Sequence, residues 1–287
     1  MPMPQLSSVD AVRSGLSTAG YLTDDAIATT VFLADRLGKP LLVEGPAGVG
    51  KTELAKAVQA ATGSRLVRLQ CYEGLDEARA LYEWDYKKQL LRIQAGAGEA
   101  WEDTSEDIFG EAFLLTRPLL EAIRRDTPTV LLIDEIDKAD VEVEGLLLEV
   151  LSDYQVTIPE LGTITATRKP FVVLTSNATR ELSEALKRRC LYLHLDYPDA
   201  EREMAIVAAR VPELGERLTN SLVRTVRALR ALELKKAPSI AETLDWAQTL
   251  VALGIDTLDE AAVRSTLGVV LKHASDQARA ATSLKLN

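Results

Sequence analysis

The stretch Leu41-Leu42-Val43-Glu44-Gly45-Pro46-Ala47-Gly48-Val49-Gly50-Lys51-Thr52 packs an apolar strand, a glycine-rich turn and the start of a helix into twelve positions. Gly45, Gly50, Lys51 and Thr52 fill the fixed positions of the phosphate-binding pattern G-x-x-x-x-G-K-[ST]. Glycines let the backbone curl so that successive N–H groups point inward as an anion nest. The helix that follows adds unpaired N–H groups and a positive dipole end. Residues Gly45, Pro46, Ala47, Gly48, Val49, Gly50, Lys51 and Thr52 are therefore the candidate nucleotide-binding set. Lys51 is placed to reach β- and γ-phosphates, and the Thr52 hydroxyl to ligate Mg²⁺. In an open α/β sheet, ligands bind beyond the carboxyl ends of the strands.

The rest of the chain supplies such strands. Leu66-Val67-Arg68-Leu69 follows the first helix. Thr129-Val130-Leu131-Leu132-Ile133 is a continuous apolar run, as suits a strand covered on both faces, and it ends in Asp134-Glu135. Asp134 at a strand end can hold Mg²⁺, and Glu135 can take a proton from an attacking water or orient it. Val156 to Ile158 and Thr163 to Thr167 alternate around Glu160-Leu161-Gly162, which predicts a β-hairpin over about 156–168. Pro170 to Ser176 is another buried strand, ending at Asn177. Alone, such an asparagine reads as a turn residue; after a phosphate loop and an Asp-Glu strand it reads as a group that positions water. A helix over Glu181–Lys187 then delivers Arg188-Arg189, and Leu191 to Leu195 forms a last strand, in which His194 reads as a packed or surface residue.

Several segments between these landmarks are less regular. Tyr82-Glu83-Trp84-Asp85-Tyr86-Lys87-Lys88-Gln89-Leu90-Leu91-Arg92-Ile93 is aromatic, then basic, then apolar, and is read as an insertion over about 82–95 suited to a contact surface. Ala95-Gly96-Ala97-Gly98-Glu99 reads as a loop, and Phe113 to Arg125 as a helix interrupted at Arg117-Pro118. From Asp199 onward strand signals stop and helix follows helix. The expected division is an α/β domain over 1–198 and a helical domain over 199–287.

Composition narrows the function classes. With 287 residues, 47% hydrophobic and 26% charged, the chain has enough apolar content for a substantial core. Its formal net charge of −10 disfavours non-specific nucleic-acid binding. The first residues lack the basic and apolar regions of a signal peptide, and no run is apolar enough to span a bilayer, so a cytoplasmic protein is expected. Cys71 and Cys190 match no metal or redox spacing and are expected as buried thiols.

Phosphate loop, Asp-Glu strand, hairpin, strand ending in asparagine, arginine pair and helical domain, in that order, resemble the AAA+ ATPases. The run Leu131-Leu132-Ile133-Asp134-Glu135-Ile136-Asp137-Lys138-Ala139 resembles the MoxR family. Residues 45–52, 82–89 and the stretch Pro238-Ser239-Ile240-Ala241-Glu242-Thr243 resemble its CoxD-type branch. The resemblance implies an α/β AAA+ P-loop αβα sandwich with a five-stranded parallel sheet and a small all-α lid. It implies a homo-oligomer, a hexameric ring with ATP at subunit boundaries. It also implies arginine fingers, for which Arg189 is the best match and Arg188 the second.

The function implied is Mg-ATP hydrolysis coupled to chaperone-like remodelling, with a metalloenzyme client of the molybdenum hydroxylase or carbon monoxide dehydrogenase type and a von Willebrand A-domain protein as a partner. The alternative class is an AAA+ motor on nucleic acid or a clamp-loader-like subunit, against which the acidic balance argues. One departure stands out. MoxR-type lids carry Ser-Pro-Arg-Ala, whose arginine senses nucleotide; here the corresponding Ser239-Ile240-Ala241-Glu242 holds Ala241 at that place, leaving Arg227 or Arg230 as substitutes.

Overall fold

The computed structural model describes residues 3–95 and 108–283. The loop expected at Ala95 to Glu99 lies outside the described residues from position 96 onward. Chain contacts divide the molecule into two units: Met1–Glu44 with Thr52–His194, and Gly45–Lys51 with Leu195–Asn287.

The first unit is built on a five-stranded parallel sheet in the order β2-β5-β8-β1-β9. These strands are β1 (Leu41–Glu44), β2 (Arg65–Gln70), β5 (Thr129–Asp134), β8 (Phe171–Ser176) and β9 (Leu191–His194). Position in the sheet is visible in the side chains. Every residue of β5 and β8 is buried, as expected for central strands with both faces covered, and each carries four consecutive apolar residues, Val130 to Ile133 and Phe171 to Leu174. The edge strands β2 and β9 alternate buried with more exposed positions instead. Helices at Asp25–Leu37, Lys51–Thr62, Pro118–Arg124 and Val141–Asp153 accompany the sheet. Their ends follow local chemistry: Asp24 Oδ1 accepts the Ile27 amide at 2.8 Å as an N-cap, and Gly38 at φ 60° turns the chain out of the same helix.

Two short two-stranded antiparallel sheets extend this unit. Strands β6 (Gln155–Ile158) and β7 (Gly162–Thr165) pair antiparallel with Ile158 opposite Gly162. Strands β3 (Tyr82–Trp84) and β4 (Leu114–Thr116) pair with Trp84 opposite Leu114, so a segment expected to be helical from Phe113 is partly strand. The reason is Pro118. It forces Arg117 into extended backbone (φ −104°, ψ 172°) and then takes the first helical position itself, so the helix starts only at Pro118. Trp84 packs edge-on against Phe109 at 5.6 Å and anchors the helix Tyr86–Ala95 that follows. That helix leaves Tyr86, Leu90, Leu91 and Ile93 exposed beside Lys87 and Arg92.

The second unit is helical after Leu195, with helices at Ala200–Arg210, Glu216–Arg230, Ile240–Ala252, Glu260–Val270 and Ala274–Ser283. Its core surrounds the fully buried Trp246, whose indole N–H donates to Thr266 Oγ1 at 2.7 Å. A buried ion pair ties it together: Arg230 gives Nη1 and Nη2 to the two oxygens of Glu203 at 2.7 and 2.8 Å, and Glu203 has no solvent exposure. Among the described residues no helix is long and apolar enough to cross a membrane.

Candidate active site

The carboxyl ends of the parallel strands carry the site, because in a parallel sheet all strands deliver their last residues to one edge. Register sets the neighbours: Gln70 at the end of β2 lies opposite Asp134 at the end of β5, and Ile133 opposite Leu174 brings Thr175 beside Asp134.

Asp134 is buried and fully hydrogen-bonded. Its Oδ1 accepts from Thr52 Oγ1 at 2.9 Å and from Thr175 Oγ1 at 2.6 Å. Its Oδ2 accepts from Arg68 Nε at 3.1 Å and Nη2 at 2.5 Å. Thus the threonine after the phosphate-loop lysine and the acid ending β5, which are 82 residues apart, are in direct contact. A hydroxyl and a carboxylate are hard oxygen donors, the set that suits Mg²⁺ completed by phosphate and water oxygens. No group of three or more His, Cys, Asp or Glu that could hold a metal occurs among the described residues, so a protein-only cage is not what this edge presents.

Glu135 adopts a left-handed backbone (φ 57°, ψ 50°), a conformation that costs a non-glycine residue about 1–3 kcal/mol and gathers at functional sites. Its amide donates to Thr175 Oγ1 at 2.9 Å, which helps hold the turn. The carboxylate is then presented to three donors: Gln70 Nε2 at 3.0 Å, Lys138 Nζ at 2.6 Å and Asn177 Nδ2 at 3.4 Å. Lys138 is in turn held above the ordinary lysine range, first of all by that hydrogen bond to Glu135. Behind them Asp137 takes the Asn177 and Thr179 amides, both at 3.1 Å, and the Thr179 hydroxyl at 2.6 Å. Burial pushes the Asp137 carboxyl up, but the hydrogen bonds from Thr179 and Asn177 outweigh it and hold it below the usual Asp value.

Thr52, Asp134, Glu135 and Asn177 are therefore brought together. Arg188 and Arg189 sit on the short helix Glu184–Arg189. Arg189 Nε donates to Ser152 Oγ at 2.9 Å, while Arg188 is exposed and has no hydrogen-bond or ion-pair partner among the described residues. Cys71 is buried and its thiol is pushed up to about 12, by burial first and then by the nearby acids; Cys190 is partly buried and likewise pushed up to about 12 by burial. Cys71 is thus buried as expected, whereas Cys190 keeps some exposure.

Residues 45–51 belong with the second unit. Gly45, Gly48 and Gly50 all have positive φ, at 155°, 74° and 99°. At Gly48 the need is also steric, since a side chain would run into Ser239. Lys51 is buried and its Nζ donates to Gly45 O and Pro46 O, both at 2.7 Å, closing the loop on itself. Ser239 caps the helix Ile240–Ala252 in a reciprocal box with Glu242. The position where an arginine was sought holds Ala241, its Cβ 3.8 Å from where a Gly48 Cβ would stand. Arg230 is committed to Glu203 and Pro238 O, and Arg227 Nη1 to Pro198 O at 3.3 Å.

Sequence reasoning passed over Gln70, Arg68, Thr175 and Lys138. Arg68 and Gln70 had a signal: two long polar side chains at period 2 on a strand heading to the ligand edge. Thr175 had none, being a small residue within an apolar strand.

A family model described as the AAA domain, dynein-related subfamily, matches residues 40–190. An uncharacterized protein of Staphylococcus haemolyticus is 24% identical over 92% of this chain and 97% of its own length. The chaperone protein ClpB of Streptomyces albus G is 34% identical over 57% of this chain but only 17% of that much longer protein. A RuvB variant of Thermotoga maritima superimposes with a TM-score of 0.51 at 17% identity, covering 93% of this chain and 72% of that one, which bears on the fold alone.

Proposed function

Because the chain belongs to the AAA domain family, dynein-related subfamily, we propose that it is a Mg-ATP-dependent ATPase that remodels a protein client. The observation that carries this reading is the convergence of Thr52, Asp134, Glu135 and Asn177 at one edge of the sheet. Thr52 Oγ1 and an Asp134 oxygen would hold Mg²⁺, which when bound neutralises charge on the phosphates. Gly45 to Lys51 hold the phosphates through backbone N–H groups and the Lys51 ammonium. Glu135 takes the proton of the attacking water, and the Asn177 carboxamide, already aimed at Glu135, helps place that water. Arg189, with Arg188 beside it, is the candidate finger for the γ-phosphate of a neighbouring subunit in a hexameric ring, so turnover depends on assembly.

The division of labour follows from the chain. Residues 1–198 act as the nucleotide-binding domain with its insertion and hairpin, and 199–287 as the lid. The client is met by the β6-β7 hairpin and by the helix Tyr86–Ala95, whose apolar and basic side chains face solvent. The MoxR-like run over 131–139 and the CoxD-like stretches at 45–52, 82–89 and 238–243 support a metalloenzyme as that client, of the molybdenum hydroxylase or carbon monoxide dehydrogenase type, with a von Willebrand A-domain protein as a partner in the cytoplasm. The test of the core reading is phosphate release from ATP by the purified protein, with and without Mg²⁺. Absence of Mg²⁺-dependent release across a range of protein concentrations that permits assembly overturns it.

A further inference from the structure

Arg68 is not part of any motif that identifies the site, yet it makes the closest contact to Asp134. Strand β2 places Arg68 two residues before Gln70, so both side chains leave the same face of this edge strand. Arg68 gives Nε and Nη2 to Asp134 Oδ2 at 3.1 and 2.5 Å. The same Nη2 donates to Gln70 Oε1. With its oxygen engaged by Arg68, the Gln70 carboxamide turns its NH₂ group to Glu135 Oε2 at 3.0 Å. One guanidinium thus spans the acid assigned to the metal and the amide that holds the acid assigned to water. The Arg68 side chain is half exposed, whereas that of Asp134 is 3% exposed, so there is room for the arginine to swing away but not for the aspartate.

We propose that Arg68 is a tethered cation that neutralises Asp134 until a divalent ion arrives, and that its displacement frees Gln70 and so changes the hold on Glu135. This rests on the Mg-ATP reading above. The physical basis is competition: the Asp134 Oδ2 oxygen that receives two Arg68 donors cannot also serve a metal or a metal-bound water without losing at least one of them. Arg68 is a positioning residue, acting through Asp134 and Gln70.

The experiment titrates Mn²⁺, read by its paramagnetic resonance, into the full chain carrying a fluorescent ATP analogue. The parent, Arg68→Met, Arg68→Lys and Gln70→Ala are compared after matching their thermal melts. Arg68→Met should lower the half-saturating Mn²⁺ concentration by about fivefold, the scale of a partly exposed ion pair. Simple structural damage to the site would raise it. Arg68→Lys keeps the competing charge and should stay within about twofold of the parent. An unchanged or raised metal requirement in Arg68→Met, or an equal drop in Arg68→Lys, overturns the proposal. If Arg68→Met does not fold, Arg68→Gln is read in the same way. For the second half, Gln70→Ala should change the single-turnover rate more in the parent than in the Arg68→Met background; equal changes in both would overturn the link to Glu135. A parent that binds no ATP analogue overturns the ATPase reading itself, which separates the two failures.

Discussion

Thr175 Oγ1 donates to Asp134 Oδ1 at 2.6 Å and accepts the amide proton of Glu135 at 2.9 Å. One hydroxyl on the neighbouring strand therefore fixes both the acid assigned to the metal and the strained turn that aims the acid assigned to water. Thr175→Val keeps the shape and removes the hydroxyl. It should cost about 1–3 kcal/mol, because Asp134 loses a donor and the Glu135 amide is left without its acceptor. Hydrolysis should fall further than ATP binding does. Urea unfolding read alongside steady-state phosphate release checks both.

Glu135→Gln keeps the hydrogen-bonding shape but removes the base. Turnover should drop by about 10²–10⁴-fold while ATP stays bound, and the proposed ring should become more stable. Filter binding of labelled ATP and sedimentation in its presence measure the two effects. A variant that hydrolyses ATP as fast as the parent would falsify the assignment of the base.

Arg189→Ala should leave ATP affinity nearly intact and reduce turnover by about 10³–10⁵-fold, the range of a finger supplied by another chain. Arg188→Ala is the companion, since Arg188 is exposed and Arg189 is partly engaged by Ser152. Mixing each variant with Glu135→Gln protein is the decisive arrangement. A finger acting between subunits is rescued in part at mixed boundaries, and a purely local role is not.

Arg230→Ala should destabilise the helical unit by about 3–5 kcal/mol, because it strands the fully buried Glu203 carboxylate. Nucleotide affinity measured well below the unfolding transition should change little, as Arg230 is already committed within its own unit. A large loss of ATP affinity in folded Arg230→Ala protein would instead restore it as a nucleotide sensor.

Asp137 supplies a pH dependence whose sign is set by its depressed carboxyl. A carboxylate lowered on folding stabilises fully above its unfolded value, near 3.8, and the contribution is lost as pH falls through the folded value. Asp137→Asn should therefore lower the urea midpoint at pH 7. The gap to the parent should close as pH is taken below about 3.8. Midpoints measured from pH 7 to pH 3 test this, and a gap that widens in acid contradicts the origin given.

The sequence by itself determined the phosphate loop, the Asp-Glu strand, the hairpin and the change to helices after Pro198. Each depends on a local pattern: glycine at positive φ, an unbroken apolar run for a central strand, or alternation around a turn. The edge strand β2 was legible as a strand but not as part of the site. Gln70 meets Glu135, and Arg68 meets Asp134, only because β2 and β5 pair in one register across more than sixty intervening residues. The same holds for Thr175, a plain threonine until β8 lies beside β5. The Pro118 boundary was visible, but the strand before it was not, since Leu114 to Thr116 becomes β-structure only by pairing with Tyr82 to Trp84. Likewise, that Arg230 belongs to Glu203 follows from helix packing, because a charge's partner in a folded chain is set by burial and distance rather than by spacing along the sequence.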